Sequence, residues 1–235
     1  MSTYASQYVH QCISLLTSFV NNFMHEGSSL FILAPMNMIG QRIAVKVSKK
    51  YNDEVEFSGG NKLYLDVSYN PEHHVTICGE VVALPRGEWC KSTNGSFIKQ
   101  EMQVGDMAYF NYLTVSKDNL ITGEDDVYLA DLEECFCFVR GGSLTAIANH
   151  VLIEPYMEEE KIGSIIMGPP KRSEDKGYVR HIGTPLKGKE ELGLNNGDTV
   201  RFHERNSFLN KIEGVEYYVM HQSDILGKEL NGRNI

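Results

Sequence analysis

The sequence predicts an all-β protein: two tandem β-barrel domains behind an N-terminal amphipathic helix. Three observations carry this. From residue 39 onward, short runs rich in β-branched and aromatic residues are separated by Gly-rich and Asn-Gly turns. The order of these runs is repeated once along the chain. Ahead of them, apolar residues recur at helical rather than strand spacing. The boundaries that result are 1–37 for the helical extension, 38–147 for the first barrel and 148–235 for the second.

The helix is expected over residues 4–24, where Tyr8, Cys12, Leu15, Leu16, Phe19, Val20 and Phe23 share a face. It fits docking on a partner or on the barrel, packing in an oligomer, or an over-extended start before Met36 or Met38. With no basic residue before Arg42, a membrane-surface role, a secretory signal and an Arg-rich transit peptide are not expected.

Next come the strands. RIAVKV (42–47) alternates, and GEVVAL (79–84), DMAYFNYLTV (106–115) and ECFCFV (134–139) follow. The repeat answers them in order. RIAVKV pairs with HVLIEP (150–155), CGEVVAL (78–84) with KGYVRHI (176–182), and VGDMAYF (104–110) with NGDTVRF (196–202). The closing run LEECFCFVRGGSLTAI (132–147) is read against GVEYYVMHQSDILGKE (214–229). Small all-β domains must hide their strand edges, and closure into a barrel does so.

The 235 residues carry a net charge of −9, which argues against nucleic acid as a partner, and no stretch reaches the length of a membrane span. The five cysteines include no CxxC and read as reduced thiols in a cytoplasmic protein. No P-loop, HExxH or nucleophile elbow occurs, and His73-His74 has no neighbouring ligand set in the sequence, so neither an enzyme nor a metal site is expected.

The second copy resembles the GroES-type co-chaperonins. It carries NHVLIEP, then GSIIM in a polar loop, then KGYVRHIG, NGDTVRF and VEYYVMHQSDILG, with Ser223-Asp224-Ile225-Leu226 closing the pattern. The resemblance covers most of 148–229 and is weaker over 38–147. It implies GroES-like barrels and a mobile loop whose apolar tripeptide docks on a GroEL-type chaperonin. Gly163, Ser164, Ile165, Ile166 and Met167 fall at that loop. It further implies a homo-oligomeric ring, unfolded protein clients served indirectly, and no cofactor of its own, since ATP is bound by the partner.

In the first copy the matching loop holds Gly59-Gly60-Asn61-Lys62 followed by Leu63, Tyr64 and Leu65. Two readings fit: a second chaperonin-binding loop, or a structural hairpin, since Lys62–Val67 alternates. The family's cavity-roofing hairpin would be GEWCKSTNGSFIKQE (87–101), with Trp89 on it and Asn94-Gly95 as its turn. TPLKGKEELGLNN (184–196) in the second copy is too short for one. The function expected is a co-chaperonin that caps a chaperonin and assists ATP-dependent folding. The competing expectation is a viral or cellular assembly protein built from the same barrels.

Overall fold

Alternation along Arg42–Lys46 decides its role at once: Ile43 and Val45 face one side, Ala44 the other, and all three are buried. A strand covered on both faces belongs mid-sheet, and this one has a neighbour on each edge. The computed structural model describes residues 38, 42–57, 60–68, 74–92, 95–121, 126–159, 161–162, 165–166, 168–189, 192–203 and 208–229. For residues 55–56, 161–162, 165–166 and 208 this covers the backbone alone. The expected helix at 4–24 lies outside the described residues.

The strands are β1 (Arg42–Lys46), β2 (Glu54–Glu56), β3 (Lys62–Tyr64), β4 (Cys78–Ala83), β5 (Trp89–Lys91), β6 (Phe97–Lys99), β7 (Met107–Phe110), β8 (Val127–Asp131), β9 (Cys135–Arg140) and β10 (Ser143–Ala146). They continue as β11 (His150–Glu158), β12 (Lys161–Ile162), β13 (Ile165–Ile166), β14 (Lys171–Ile182), β15 (Thr199–Phe202), β16 (Phe208–Ile212), β17 (Val215–His221) and β18 (Ile225–Lys228). Every ladder between them is antiparallel, and the helical elements among the described residues are short 3-10 turns.

Two six-stranded sheets result, ordered β10-β9-β7-β4-β1-β8 and β16-β17-β11-β14-β15-β18. Within them lies one shared order: β8-β1-β4-β7-β9 in the first and β17-β11-β14-β15-β18 in the second. The duplication reaches single residues. Each β1-type strand shifts register at one step, Ala44/Val45 and Leu152/Ile153. Each β7-type strand does so before a buried phenylalanine, Phe110 and Phe202. The Gly-Asp turns also coincide. Gly105 N–H donates to Val81 O at 2.8 Å and Gly197 N–H to Val179 O at 2.7 Å, while Asp106 and Asp198 accept from Gln103 N–H and Asn195 N–H.

The closing run needs a correction. Leu132–Ile147 is not the counterpart of Gly214–Glu229. β8, the 3-10 turn Leu132–Glu134 and β9 correspond to β17, the turn Gln222–Asp224 and β18. Glu133-Glu134-Cys135-Phe136 thus stands where Ser223-Asp224-Ile225-Leu226 stands in the second copy. The misreading arose because the partner of β1 is VYLAD (127–131), and because β10 is an added strand on β9 with no equivalent in the second sheet among the described residues.

Each sheet curls around its own core. Side chains from opposite ends of the shared order meet inside: Tyr128 and Ala130 of β8 with Cys135 and Phe138 of β9, and Tyr218 and Met220 of β17 with Ile225 of β18. That closure gives the barrels. A third cluster lies between them, where Tyr109, Phe136, Cys137 and Ala146 meet Leu152, Ile212, Tyr217 and Val219. Covered on both faces, β9 reads as the unbroken apolar run Cys135-Phe136-Cys137-Phe138 rather than as an alternation.

The chain passes from one barrel to the other through a two-residue turn at Ala148 (φ 53°) and Asn149 (φ 65°), closed by His150 N–H to Ile147 O at 2.9 Å. Two consecutive left-handed residues make a type I′ turn, which Asn tolerates and Ala adopts at a cost of ~1–2 kcal/mol. All the described residues fall in one compact unit, Asn37–Ile235.

Candidate functional site

β11 and β14 are the longest strands, and their ladder runs beyond the barrel wall. Inside the wall the pairs run from Val151↔Ile182 to Pro155↔Gly177. After an irregularity the ladder resumes with Met157↔Arg172 and Glu158↔Lys171, both pairs exposed. At the far end β12 and β13 form their own small hairpin, Lys161↔Ile166 and Ile162↔Ile165. The backbone of Ile165 and Ile166 is therefore at the tip of a long arm. Gly163, Ser164 and Met167 lie outside the described residues. Gly168, Pro169 and Pro170, just past the tip, are exposed.

The root of the arm is anchored on all sides. Tyr218 Oη donates to Ser173 O at 2.9 Å from inside the barrel. Ser173 Oγ donates to Asp175 Oδ1 at 2.9 Å, and Arg172 pairs with Glu216. Lys176 bonds Glu229 at 2.9 Å and lies over the Tyr156 ring, 4.3 Å from its centroid; Tyr156 in turn packs on Tyr178. Hydrogen bonds from Lys176, then from Arg201, hold the Glu229 carboxyl below its ordinary value despite some desolvation. Gly177 is required where the arm leaves the wall. A Cβ there would stand 2.6 Å from Glu154 O, a distance no side chain adopts.

The first barrel carries an arm at the same position, differently built. Its root is a short ladder, with Tyr51 bridging Val75 and Thr76 N–H donating to Lys50 O at 2.9 Å. β2 and β3 pair as Glu54↔Tyr64 and Glu56↔Lys62, and the turn is closed by Gly60 at φ 80°. Lys49 and Lys62 both reach Glu54, at 2.7 and 3.0 Å. Their hydrogen bonds lower the Glu54 carboxyl; Lys49 is raised by its bond to Asp53 first and to Glu54 second, and Lys62 by its bond to Glu54. The alternation of Lys62–Val67 buries no strand face here: Leu63 is 50 % and Tyr64 69 % exposed, with Leu65 half-buried. The segment is a hairpin and at the same time an exposed apolar tip.

The insert hairpin β5–β6 exists only in the first copy among the described residues. Cys90 and Ile98 point from it into the first core. Trp89 is half-buried, with Lys187 Nζ 5.5 Å from its ring centroid; Lys187 N–H also donates to Phe97 O at 3.0 Å. Thr184 Oγ1 donates to Glu101 Oε2 at 2.8 Å. The hairpin is thus bound to the short insert of the second copy. Gly95 stands at φ 90° in its turn, and Asn94 lies outside the described residues.

Sequence reasoning missed the junction between the barrels. Tyr109 Oη donates to Glu213 Oε1 at 2.8 Å across it. Desolvation first, then the Glu213 contact, drives the Tyr109 phenol far upward. His150 is fully enclosed, edge-on to Phe136 and stacked on His221 at 4.3 Å, with its Nδ1–H donating to Ile147 O. The signal that could have found this surface was the unbroken apolar run of β9. Among the described residues no group of three or more His, Cys, Asp or Glu side chains is placed to hold a metal ion; His73 lies outside them.

The arm-bearing antiparallel barrel is a GroES-like barrel. Residues 143–229 match the family model of the chaperonin 10 Kd subunit. Over 86 residues the chain is 35% identical to the co-chaperonin GroES of Porphyromonas gingivalis, covering 36% of this chain and 96% of that protein. The co-chaperonin GroES of Bacteroides fragilis is 37% identical over 86 residues, 36% of this chain and 94% of the relative. That of Desulforapulum autotrophicum is 32% identical over 91 residues, 36% of this chain and 96% of the relative. The chain belongs to the chaperonin 10 kDa subunit family, and its role is in general terms that of a co-chaperonin. The match spans β10 to β18; the first barrel joins it through the residue-level equivalences described above.

Proposed function

We propose that this chain caps a GroEL-type chaperonin through the apolar tip of the β11–β14 arm and so assists ATP-dependent folding. The observation that carries the reading is the arm itself. It lies within the stretch matching the family, its exposed ladder leads to the backbone of Ile165 and Ile166, and the sequence there reads Gly163-Ser164-Ile165-Ile166-Met167. A large aliphatic side chain buried in a partner's groove contributes ~1.5–3 kcal/mol, and ordering the tip offsets part of that. One tip is then a weak, reversible contact. Tips presented together by a homo-oligomeric ring add through effective concentration. The partner hydrolyses ATP, so this chain needs no cofactor and performs no chemistry; it works in the cytoplasm, and clients meet the chamber rather than the arm.

In this reading the exposed Leu63 and Tyr64, with Leu65, form a second, stiffer tip for the same partner. The β5–β6 hairpin with Trp89, Asn94 and Gly95 lies toward the cavity. The test is limited proteolysis of residues 158–176 in the free protein and with a GroEL-type chaperonin and ATP. The reading expects protection on addition. Equal cleavage in both samples would favour an assembly protein that binds no chaperonin.

A further inference from the structure

The second barrel carries a polar side chain where the first has core. Gln222 opens the turn Gln222–Asp224 at the place that Leu132 holds in the first copy. Leu132 is buried and packs in one cluster with Cys90 and Ile98 of the β5–β6 hairpin. The second copy has no such hairpin among the described residues, and a cleft of about 270 Å³ lies beside Gln222.

Most of the lining is apolar side chain or backbone. Ile182 and Leu194 pack on the second core and also line the cleft, and Pro185 joins them. Leu192, 56 % exposed, stands at the rim. No charged side chain is among the described residues that line it.

The polar groups of the lining share one character. Gln222 is 3 % exposed, and its Nε2 donates to Gly183 O at 2.7 Å. That bond fixes the amide, because the flipped orientation would set oxygen against oxygen. Oε1 takes no hydrogen bond among the described residues and is not sealed from solvent, so it opens on the cleft. Thr184 Oγ1 gives its proton to Glu101 at 2.8 Å, and Gly183 N–H is bound to His150 O at 2.8 Å. The side chains therefore offer the cleft acceptors and no donor.

These features define a ligand. A cavity of ~150 Å³ holds one benzene ring, and drug-sized ligands take ~300 Å³ or more, so this cleft fits one ring or two fused rings. With no charged partner in the lining, the ligand is neutral. A purely apolar ring would cover Oε1 and leave it unpaired, so the ring must carry a donor. A phenol brings an acceptor as well, whereas an indole N–H only donates and so matches the lining. We propose that the cleft between Gln222 and Leu192 binds a neutral, indole-type ring whose N–H donates to Gln222 Oε1. The same chemistry is available from free indole and from a tryptophan side chain of an extended peptide.

The test is titration calorimetry of the full chain with indole, with N-methylindole, which lacks the donor, and with a capped peptide containing a single tryptophan. Indole should bind, and N-methylindole should bind at least about tenfold more weakly. Gln222→Leu, which installs the first copy's residue, should remove that difference. Leu192→Ser, at an exposed position, should weaken both ligands and leave the melting temperature unchanged. Peptide binding with the same dependence on Gln222 assigns the cleft to tryptophan side chains; binding of indole but not of the peptide assigns it to a free ligand. No binding of indole or peptide, equal affinity for indole and N-methylindole, or binding indifferent to both variants would overturn the proposal. None of these outcomes bears on chaperonin binding, which protection of the arm reports separately.

Discussion

Gly79 and Gly177 are the same residue twice. A Cβ on Gly79 would stand 2.8 Å from Lys46 O, and one on Gly177 2.6 Å from Glu154 O, each against the strand that opens its own barrel. Both mark the point where an arm leaves the wall, so two arms of different length and sequence share one hinge geometry.

Gly177→Ala should therefore destabilise the protein by ~1–3 kcal/mol, since the new methyl must displace backbone. Gly168→Ala, with open space around the added methyl, should stay within ~0.5 kcal/mol. Urea unfolding of the two variants checks both values.

The junction between the barrels should behave as a core. Phe136→Ala should cost ~3–5 kcal/mol, and Tyr109→Phe, which removes only the bond to Glu213, ~0.5–1.5 kcal/mol. Loss of a single cooperative unfolding transition in Phe136→Ala would show that the barrels depend on this cluster to unfold together.

His150 sets the response to mild acid. Burial first, then the neighbouring His221, pushes its imidazole down to about 3, against a weaker upward pull from the Ile147 carbonyl. Above the unfolded value near 6.5 the ring is neutral in both states and costs nothing. As the pH falls below that value the unfolded chain takes a proton that the folded chain refuses, so stability is lost progressively toward pH 3. Between pH 6.5 and 5 the loss should be about 2 kcal/mol. Carboxylates held low, such as Asp198 and Glu229, act below their ordinary range near pH 4, whereas His181, lowered by burial and then by Arg180, adds to the loss in this window and Glu134, raised by burial, opposes it. Denaturation at pH 7 and pH 5 measures the slope, and His150→Gln should flatten it.

Much of the fold was legible in the sequence because barrel strands announce themselves locally. RIAVKV alternates, the Gly-Asp turns repeat, and Asn94-Gly95 marks a hairpin turn. The closing strands were misregistered because β9, buried on both faces, is the most apolar run in the first copy and drew the match away from VYLAD. The arm was legible because Ile165-Ile166-Met167 is out of keeping with its charged, Gly- and Pro-rich surroundings. The junction was not, because Tyr109 and Glu213 meet only through tertiary packing, across a sequence gap that carries no local pattern.

The two tips should contribute unequally. Leu63→Ser with Tyr64→Ser changes exposed side chains and should leave stability within ~0.5 kcal/mol while weakening chaperonin binding. Titration calorimetry of this variant against Ile166→Ser ranks the arms; the β11–β14 arm should show the larger loss.

The most direct measurement is size-exclusion co-elution of the full chain with a GroEL-type chaperonin, with and without ATP, for the parent and for Ile165→Asp with Ile166→Asp. The account predicts nucleotide-dependent co-elution of the parent and its loss in the variant, with the variant's melting temperature unchanged. Parent and variant eluting alike, both bound or both free, would contradict the claim that this arm grips the chaperonin.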